Sequence, residues 1–430
     1  MQLSLSLALV APFLIAVVGC SRSTAGPLRP MADAPPAAAP AAPAPPPADD
    51  AIALRAEGPA ALDRLLVRYA ALSSDGARAA LAATIDQVAA QRYASVSGLY
   101  WYTDLAAAQA AARAEAKPIL ALRMLGHLDE ELSCANSRMF RTILYPDRAV
   151  ARLLRERFVL YWSSERPVPR VTVDYGDGRT LATTVTGNSA HYVLDADGRP
   201  LDVLPGMYAP AVFAAELARI ADQAARVREL DDAAWRAAML RYHQGAAKRA
   251  AQQWAGARRL PTVGGKLATP AQLEVAAARA QRATISKAYV EVPIIGHLDL
   301  GVDPGALPAD DDVRTAVATQ LWQLTPEAVL DPAARALIES LLPAGDHAAV
   351  LARLTRGILA ETVLDDLSLR PQIRARLLDD LELGATPAFA ALNRFVYAEV
   401  FHAPADDPWM GLLSTTTYTG LPGGAIVSRR

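Results

Sequence analysis

Cys134 and Ser137 are the residues of this sequence whose types and spacing most directly indicate chemistry. They stand three positions apart in the segment Cys-Ala-Asn-Ser. A cysteine thiolate can attack a disulfide, and a second thiol at such a spacing then resolves the mixed disulfide that forms. A serine cannot take that second role. The pair therefore predicts either single-thiol chemistry or a site that has lost its chemistry.

The other cysteine of the chain, Cys20, has a different setting. It ends an apolar run from Leu3 to Val18 and directly follows Gly19. The order Val-Val-Gly-Cys resembles a bacterial lipoprotein signal, in which a peptidase cuts before the cysteine and the thiol is acylated. The resemblance implies a signal peptide over residues 1–19 and a lipid on Cys20. An uncleaved membrane anchor is the alternative.

The residues after Cys20 indicate where the body of the protein is held. A serine at position 21, rather than an aspartate, implies the outer membrane of a Gram-negative cell envelope, facing the periplasm. Residues 20–50 are nearly all proline, alanine and small polar residues, so we expect an extended tether without a core. With Cys20 acylated, Cys134 is the single thiol of the body. A redox cycle between two of its own thiols is then excluded.

The composition limits both the fold and the partners. The chain has 430 residues, of which 52% are hydrophobic and 20% charged, and this excludes a wholly disordered protein. The formal net charge of −2 gives no drive toward nucleic acid, so we expect no nucleic-acid partner. The six histidines lack the spacing of metal ligands, and no haem or phosphate-loop motif occurs. We therefore expect no metal and no cofactor.

Elements that would position Cys134 are predicted on both sides of it. Hydrophobic periodicity indicates alternating helices and strands, followed by two strand–turn–strand units and an amphipathic helix. In order, these are a helix from Asp104 to Glu115, a strand from Pro118 to Leu125, a helix starting near Asp147, a strand from Phe158 to Trp162, turns at Asp177-Gly178 and Asp197-Gly198, and a helix that ends near residue 225.

Four segments in this order resemble the thioredoxin-like domains of exported bacterial proteins. They are AKPILAL from Ala116, CANS from Cys134, LLRERFV ending at Val159 and VLDADGRPL from Val193. The resemblance covers about residues 98–225. It implies a thioredoxin-like α/β domain with a central mixed sheet flanked by helices. It also implies that Cys134 starts a helix after the first long strand.

The rest of the chain is mainly helical by periodicity, and this completes the predicted organisation. We predict a lipoprotein signal peptide at 1–19, a Pro/Ala-rich tether at 20–50, a helical pair at 51–96, the thioredoxin-like domain at 97–225 and a mainly α-helical region at 226–430.

Within the C-terminal region the pattern predicts four helices after a possible strand at 287–300. The helices are expected near 311–323, 332–342, 347–361 and 387–401. Three acidic residues are expected on one solvated helix face, namely Glu361, Asp365 and Asp366.

The predicted domain departs from the thioredoxin-like pattern opposite the cysteine. That group usually has a cis-proline six residues before the aspartate of its LDxDG motif, and this position is Ser189 here. Because cis peptides are almost confined to proline, we expect a trans peptide and an altered substrate groove.

Three interpretations of Cys134 stay open at the level of sequence. It is a buried structural cysteine; or it is a monothiol that forms mixed disulfides, with Ser137 hydrogen-bonding its thiolate; or it pairs with His191 as nucleophile and base or as metal ligands. Two ligands are too few for a closed metal site.

The sequence as a whole predicts an envelope-anchored, thioredoxin-like protein that is a non-catalytic or monothiol binding module for another envelope protein. The alternative is a thiol–disulfide oxidoreductase or isomerase that acts through mixed disulfides with a partner protein or a small thiol. Cys134 and Ser137 are then the candidate catalytic residues. An enzyme housed in the helical C-terminal region is a third class.

Overall fold

Four strands form the central sheet of the computed structural model, which describes residues 48–184, 189–257, 307–342, 344–401 and 403–405. The spatial order of these strands is β2-β1-β5-β6, with β1 and β2 parallel and β5 antiparallel to both β1 and β6. β3 and β4 form a separate two-stranded antiparallel sheet. The strands are β1 (Ile119–Leu125), β2 (Val159–Arg166), β3 (Arg170–Asp174), β4 (Thr180–Thr184), β5 (Ala190–Leu194) and β6 (Pro200–Pro205).

The helices of the described residues fall into three groups along the chain. Before the sheet lie α1 (Ala48–Ala56), α2 (Pro59–Ala71), α3 (Asp75–Ala89), α4 (Ala94–Ser97) and α5 (Leu105–Glu115). Interleaved with the strands, or directly after them, are α6 (Ala135–Met139), α7 (Arg148–Arg157) and α8 (Pro210–Val227). The C-terminal group is α9 (Asp232–Ala257), α10 (Leu307–Trp322), α11 (Pro332–Leu341), α12 (Ala348–Leu364), α13 (Arg370–Glu382) and α14 (Phe389–Phe395).

Helices cover both faces of the central sheet. Every residue of β5 and β6 is buried, which is typical of strands packed on two sides. His191 and Tyr192 are neighbours on β5 and therefore point to opposite faces. His191 contacts Phe213 of α8 at a ring-centroid distance of 4.9 Å, and Tyr192 contacts Phe389 of α14 at 5.1 Å. The C-terminal helices thus complete the core of the sheet.

The N-terminal helices have a smaller core of their own. Its buried members include Leu62, Leu65, Ile85 and Val88 from α2 and α3. Arg55 of α1 crosses this core and donates to two carbonyl oxygens, that of Val88 at 2.6 Å and that of Trp101 at 2.7 Å. One arginine therefore ties the first helix to the segment that leads into the sheet.

The observed architecture confirms the coarse prediction of a mixed α/β protein with a central mixed sheet and many helices, and the sheet has four strands. Two features differ from the sequence patterns. α1 begins at Ala48, inside the segment predicted as tether, and α13 was not predicted by any of the patterns. The strand predicted at 287–300 lies outside the described residues. The segment boundaries at 96/97 and 225/226 stay predictions.

A buried arginine joins α13 to the sheet and to α8. The Arg370 side chain is 3% exposed and contacts three carboxylates: Asp202 of β6 at 2.8 Å, Glu216 of α8 at 2.9 Å and Asp366 at 3.0 Å. Arg374, one turn further along α13, lies 3.5 Å from the same Asp202 oxygen. Buried charges require such pairing, because an isolated ion in a protein interior is very costly.

This cluster also corrects the expectation of a solvated acidic face. Asp365 is fully buried and Asp366 is 8% exposed, so that expectation is wrong for both. A carboxylate oxygen of Asp365 accepts the backbone N–H of Met207 at 2.7 Å. Burial alone would raise the pKa of Asp202, but Arg370 and Arg374 outweigh it and hold that pKa well below its usual range.

Replacement of Asp202 tests this network. We expect Asp202→Asn to lower the free energy of unfolding by about 3–5 kcal/mol, because it leaves buried guanidinium charge without its carboxylate. Asp222→Asn is the matched control, since it removes a carboxylate from an exposed pair with Arg157 and should cost under about 1 kcal/mol. Denaturant titrations measure both. Equal losses would show that the Arg370 cluster does not hold α13 on the sheet.

Candidate functional site

Cys134 lies just beyond the C-terminal end of β1, where the chain turns to start α6. Gly126 begins this turn with a φ of +73°, and its N–H donates to the carbonyl oxygen of Arg166 at 2.9 Å. A Cβ at position 126 would lie 3.3 Å from Cα of Ser133, so the close approach also favours glycine. The N–H of Cys134 donates to the carbonyl oxygen of Leu125 at 3.2 Å, and Cys134 becomes the N-cap of α6.

The thiol of Cys134 is fully buried and has a serine partner. Its Sγ lies 3.0 Å from Oγ of Ser189, which is itself buried. The hydroxyl of Ser137 lies 2.6 Å from Oγ of Ser133 and 2.8 Å from the carbonyl oxygen of Cys134. The partner of the thiol is therefore Ser189, and not Ser137. The described chain contains no cis peptide bond.

Arg141 holds the loop between β1 and α6 from the inside. Its guanidinium is 1% exposed and donates to Oγ of Ser133 at 2.9 Å. It also donates to three carbonyl oxygens of the loop, those of Leu128, Glu130 and Glu131. Burial lowers the pKa of Arg141 to about 10, so the group remains charged at neutral pH. The guanidinium of Arg141 thus connects four residues of the loop between β1 and α6.

The β3–β4 hairpin closes the same loop from the outside. Thr183 and Thr184, at its inner end, are buried, whereas most of the hairpin is exposed. The hydroxyl of Thr184 donates to the carbonyl oxygen of Ser133 at 3.0 Å. The peptide before Cys134 is therefore held on one side by Arg141 and on the other by the hairpin.

His191 is not paired with Cys134. Its Nε2 lies 2.8 Å from the hydroxyl oxygen of Tyr145, and its Nδ1 has no hydrogen-bond partner in the described part of the chain. The ring packs on Phe140 at a centroid distance of 4.6 Å. Burial lowers the pKa of His191 to about 3, so the imidazole is neutral. The geometry of a nucleophile and its base is absent between these two residues.

The described ranges contain neither a cluster of metal ligands nor a membrane-spanning helix. No cluster of three or more His, Cys, Asp or Glu side chains that could hold a metal ion occurs there. No helix in those ranges has the length and apolarity needed to span a bilayer. Cys20, the predicted lipidation site, lies outside them.

A thiol in this setting is poorly placed for disulfide exchange. The reaction requires the sulfur to approach a substrate disulfide directly, and Cys134 has no exposed surface. Cys134 is also the free cysteine of the described chain, so no resolving thiol stands beside it. The site as observed can keep a hydrogen-bonded thiol inside the core. It can react only if the loop or the hairpin moves away.

Comparison of the chain with models of protein families, with curated proteins and with solved structures gives no match. The interpretation of the site therefore rests on its own geometry.

The sequence patterns did not select the residues that close the site, namely Ser133, Arg141 and Thr184. Arg141 did carry a detectable signal, because it lies between Phe140 and Ile143 in an apolar helical run. A charged residue within such a run is either exposed or paired inside the core. Thr184 gave no such signal, since a threonine on a hairpin strand is common.

The buried imidazole predicts a specific loss of stability in acid. The folded pKa of His191, about 3, lies below the ordinary 6.5, so below pH 6.5 the unfolded chain binds a proton that the folded chain does not. Its share of the unfolding free energy should fall by about 2–3 kcal/mol between pH 7 and pH 4.5.

The matched variants for this prediction are His191→Gln and His127→Gln. Glutamine at 191 can keep a hydrogen bond to Tyr145 but cannot titrate. The fall in the unfolding free energy between pH 7 and pH 4.5 should therefore be smaller in His191→Gln by about 2–3 kcal/mol. His127 has a half-exposed side chain, so His127→Gln controls for the replacement of a histidine outside the core. Denaturant unfolding at several pH values measures the slope. An unchanged slope in His191→Gln would contradict the prediction.

Proposed function

We propose that this chain is a thioredoxin-like protein of the bacterial cell envelope whose domain at 97–225 binds another protein and does not catalyse thiol–disulfide exchange. The strand arrangement supports the thioredoxin-like part. β1 and β2 form a parallel pair connected through α6 and α7, and β5 and β6 form an antiparallel pair followed by α8. The resemblance implies a central mixed sheet and a cysteine at the start of the helix after the first long strand, and the observed sheet and the position of Cys134 at the start of α6 agree with this.

One observation carries the non-catalytic part of the proposal: the Cys134 thiol is fully buried and 3.0 Å from Ser189. An exchange enzyme needs an accessible thiolate, and its helix N-terminus must face a substrate groove. Here Arg141 and Thr184 hold the peptide before Cys134 from two sides. The polar groups around Cys134 hydrogen-bond to one another.

The proposed location follows from the N-terminal segment. In this proposal Cys20, after the apolar run, carries the lipid, and the folded body faces the periplasm. Because the thiol is buried, the binding role is the one of the two alternatives that needs no access to Cys134. The signal resemblance at Val17 to Cys20 supports the anchoring.

Thiol reactivity tests the non-catalytic assignment. We expect a chromogenic disulfide reagent to label Cys134 in the delipidated body at least roughly a hundredfold more slowly in native buffer than in denaturant, because labelling requires the loop to open. The same protein should reduce insulin no faster than its Cys134→Ala variant. Rapid native labelling together with insulin reduction that Cys134→Ala abolishes would favour the monothiol exchange enzyme.

Lipid labelling tests the anchoring separately. When the full chain is produced in a Gram-negative bacterium, we expect incorporation of radiolabelled palmitate and partition into the membrane fraction. Cys20→Ser should abolish both, because the acylated thiol is lost. Cys134→Ser is the matched control and should keep both. Palmitate incorporation that persists in Cys20→Ser would contradict the lipoprotein assignment.

A further inference from the structure

A cleft of about 400 Å³ lies between α8, α9 and α13, and arginines dominate its lining. α8 contributes Arg219 and Arg226, α9 contributes Arg249, and α13 contributes Arg370 and Arg374. The members from one helix are seven or four positions apart, so each helix turns a single face toward the cleft. Cys134 and its hydrogen-bond partners are not among the lining residues.

Two carboxylates of the lining are already used by the arginines next to them. Glu216 pairs with Arg219 and with Arg370, and Asp366 pairs with Arg370. Behind the lining, Asp202 pairs with Arg370 and lies 3.5 Å from Arg374. The negative charges of these three carboxylates therefore offset the positive charges of Arg219, Arg370 and Arg374.

The remaining two arginines leave the cleft with an excess of positive charge. Arg226 and Arg249 are exposed and form no ion pair with the described part of the chain. They lie on α8 and α9, two of the helices that line the cleft. The local excess is therefore two positive charges on a protein whose overall net charge is −2.

Arg374 is a second and independent sign of a missing ligand. Its side chain is 6% exposed, yet it makes no hydrogen bond within the described residues and only the 3.5 Å contact with Asp202. Its Nε is buried without a partner. Buried guanidinium donors are normally satisfied, because leaving them unpaired costs free energy. An anion in the cleft would supply the acceptors.

We propose that this cleft binds the phosphate group of a small phosphorylated molecule. A phosphate monoester carries about −1.5 to −2 charges at neutral pH, which matches the excess of two arginines better than a single carboxylate does. Arginine forks bind phosphate oxygens in pairs, and walls formed by three helices suit a tetrahedral group. A volume of about 400 Å³ falls in the range of small-molecule sites and leaves room for an organic part beside the phosphate.

Calorimetric titration of the delipidated protein with glycerol phosphate tests the proposal. We expect binding that weakens as salt is added, since exposed charges are screened. Arg226→Met and Arg249→Met should each weaken binding roughly tenfold or more. Arg241→Met, an exposed arginine of α9 outside the lining, is the matched control and should bind as the wild type does. Circular dichroism checks that each variant is folded.

Further probes separate the possible anions. Citrate at equal ionic strength should bind more weakly than glycerol phosphate, and tighter citrate binding would overturn the phosphate assignment. Vesicles that contain phosphatidic acid should compete poorly with the soluble ester. Binding to those vesicles without binding of glycerol phosphate would overturn the small-molecule assignment. Equal affinity of the wild type and of the Arg226→Met/Arg249→Met double variant for glycerol phosphate would overturn it too.

Discussion

A buried polar group needs a hydrogen-bond partner, and this constraint shapes the whole region around Cys134. The turn after β1 places Ser133, Cys134 and Ser137 inside the core, where water cannot satisfy them. The hydroxyl of Ser189 lies at hydrogen-bond distance from the Cys134 thiol. Arg141 donates to the hydroxyl of Ser133, and Thr184 donates to the carbonyl oxygen of Ser133. Each partner comes from a different part of the chain. Ser189 directly precedes β5, Arg141 lies in the helical turn after α6, and Thr184 ends β4 of the hairpin. The contacts that satisfy these polar groups also keep the Cys134 thiol away from solvent.

The C-terminal helices extend this closure to the other face of the sheet. Tyr192 donates to the side-chain oxygen of Asn393 at 3.1 Å, and the amide of Asn393 donates to Glu165 at 2.9 Å. Glu165 in turn pairs with Arg123 of β1. On α13, Arg370 connects the same helices to β6 and α8. These polar contacts lie within one continuous hydrophobic cluster, so the helical region is part of the core that covers the sheet and not an appended module. The same helices create the arginine-lined cleft.

The sequence patterns predicted the local elements well and the tertiary pairings poorly. Strand alternation and turn residues located the elements between Asp104 and residue 225, because both signals are local in the chain. α13 was missed since its buried face carries Arg370 and Arg374 beside apolar residues, and periodicity rules assign arginine to the exposed face. The resemblance placed Ser189 opposite Cys134 but did not identify it as the partner of the thiol, because the two residues are 55 positions apart and only the pairing of β1 with β5 brings them together. The spacing to Ser137 suggested the wrong serine for the same reason.

The central claim is that the Cys134 thiol is sealed in the native protein, and native mass spectrometry tests it most directly. The delipidated body is incubated with glutathione disulfide under native conditions, desalted and weighed, with a sample unfolded in urea at the same pH as the reference, because the exchange requires the thiolate. The account predicts an unchanged mass for the folded protein and an added glutathione only after unfolding. A folded protein that gains one glutathione, with Cys134→Ala gaining none, would contradict it, because the thiol would then be open to a disulfide.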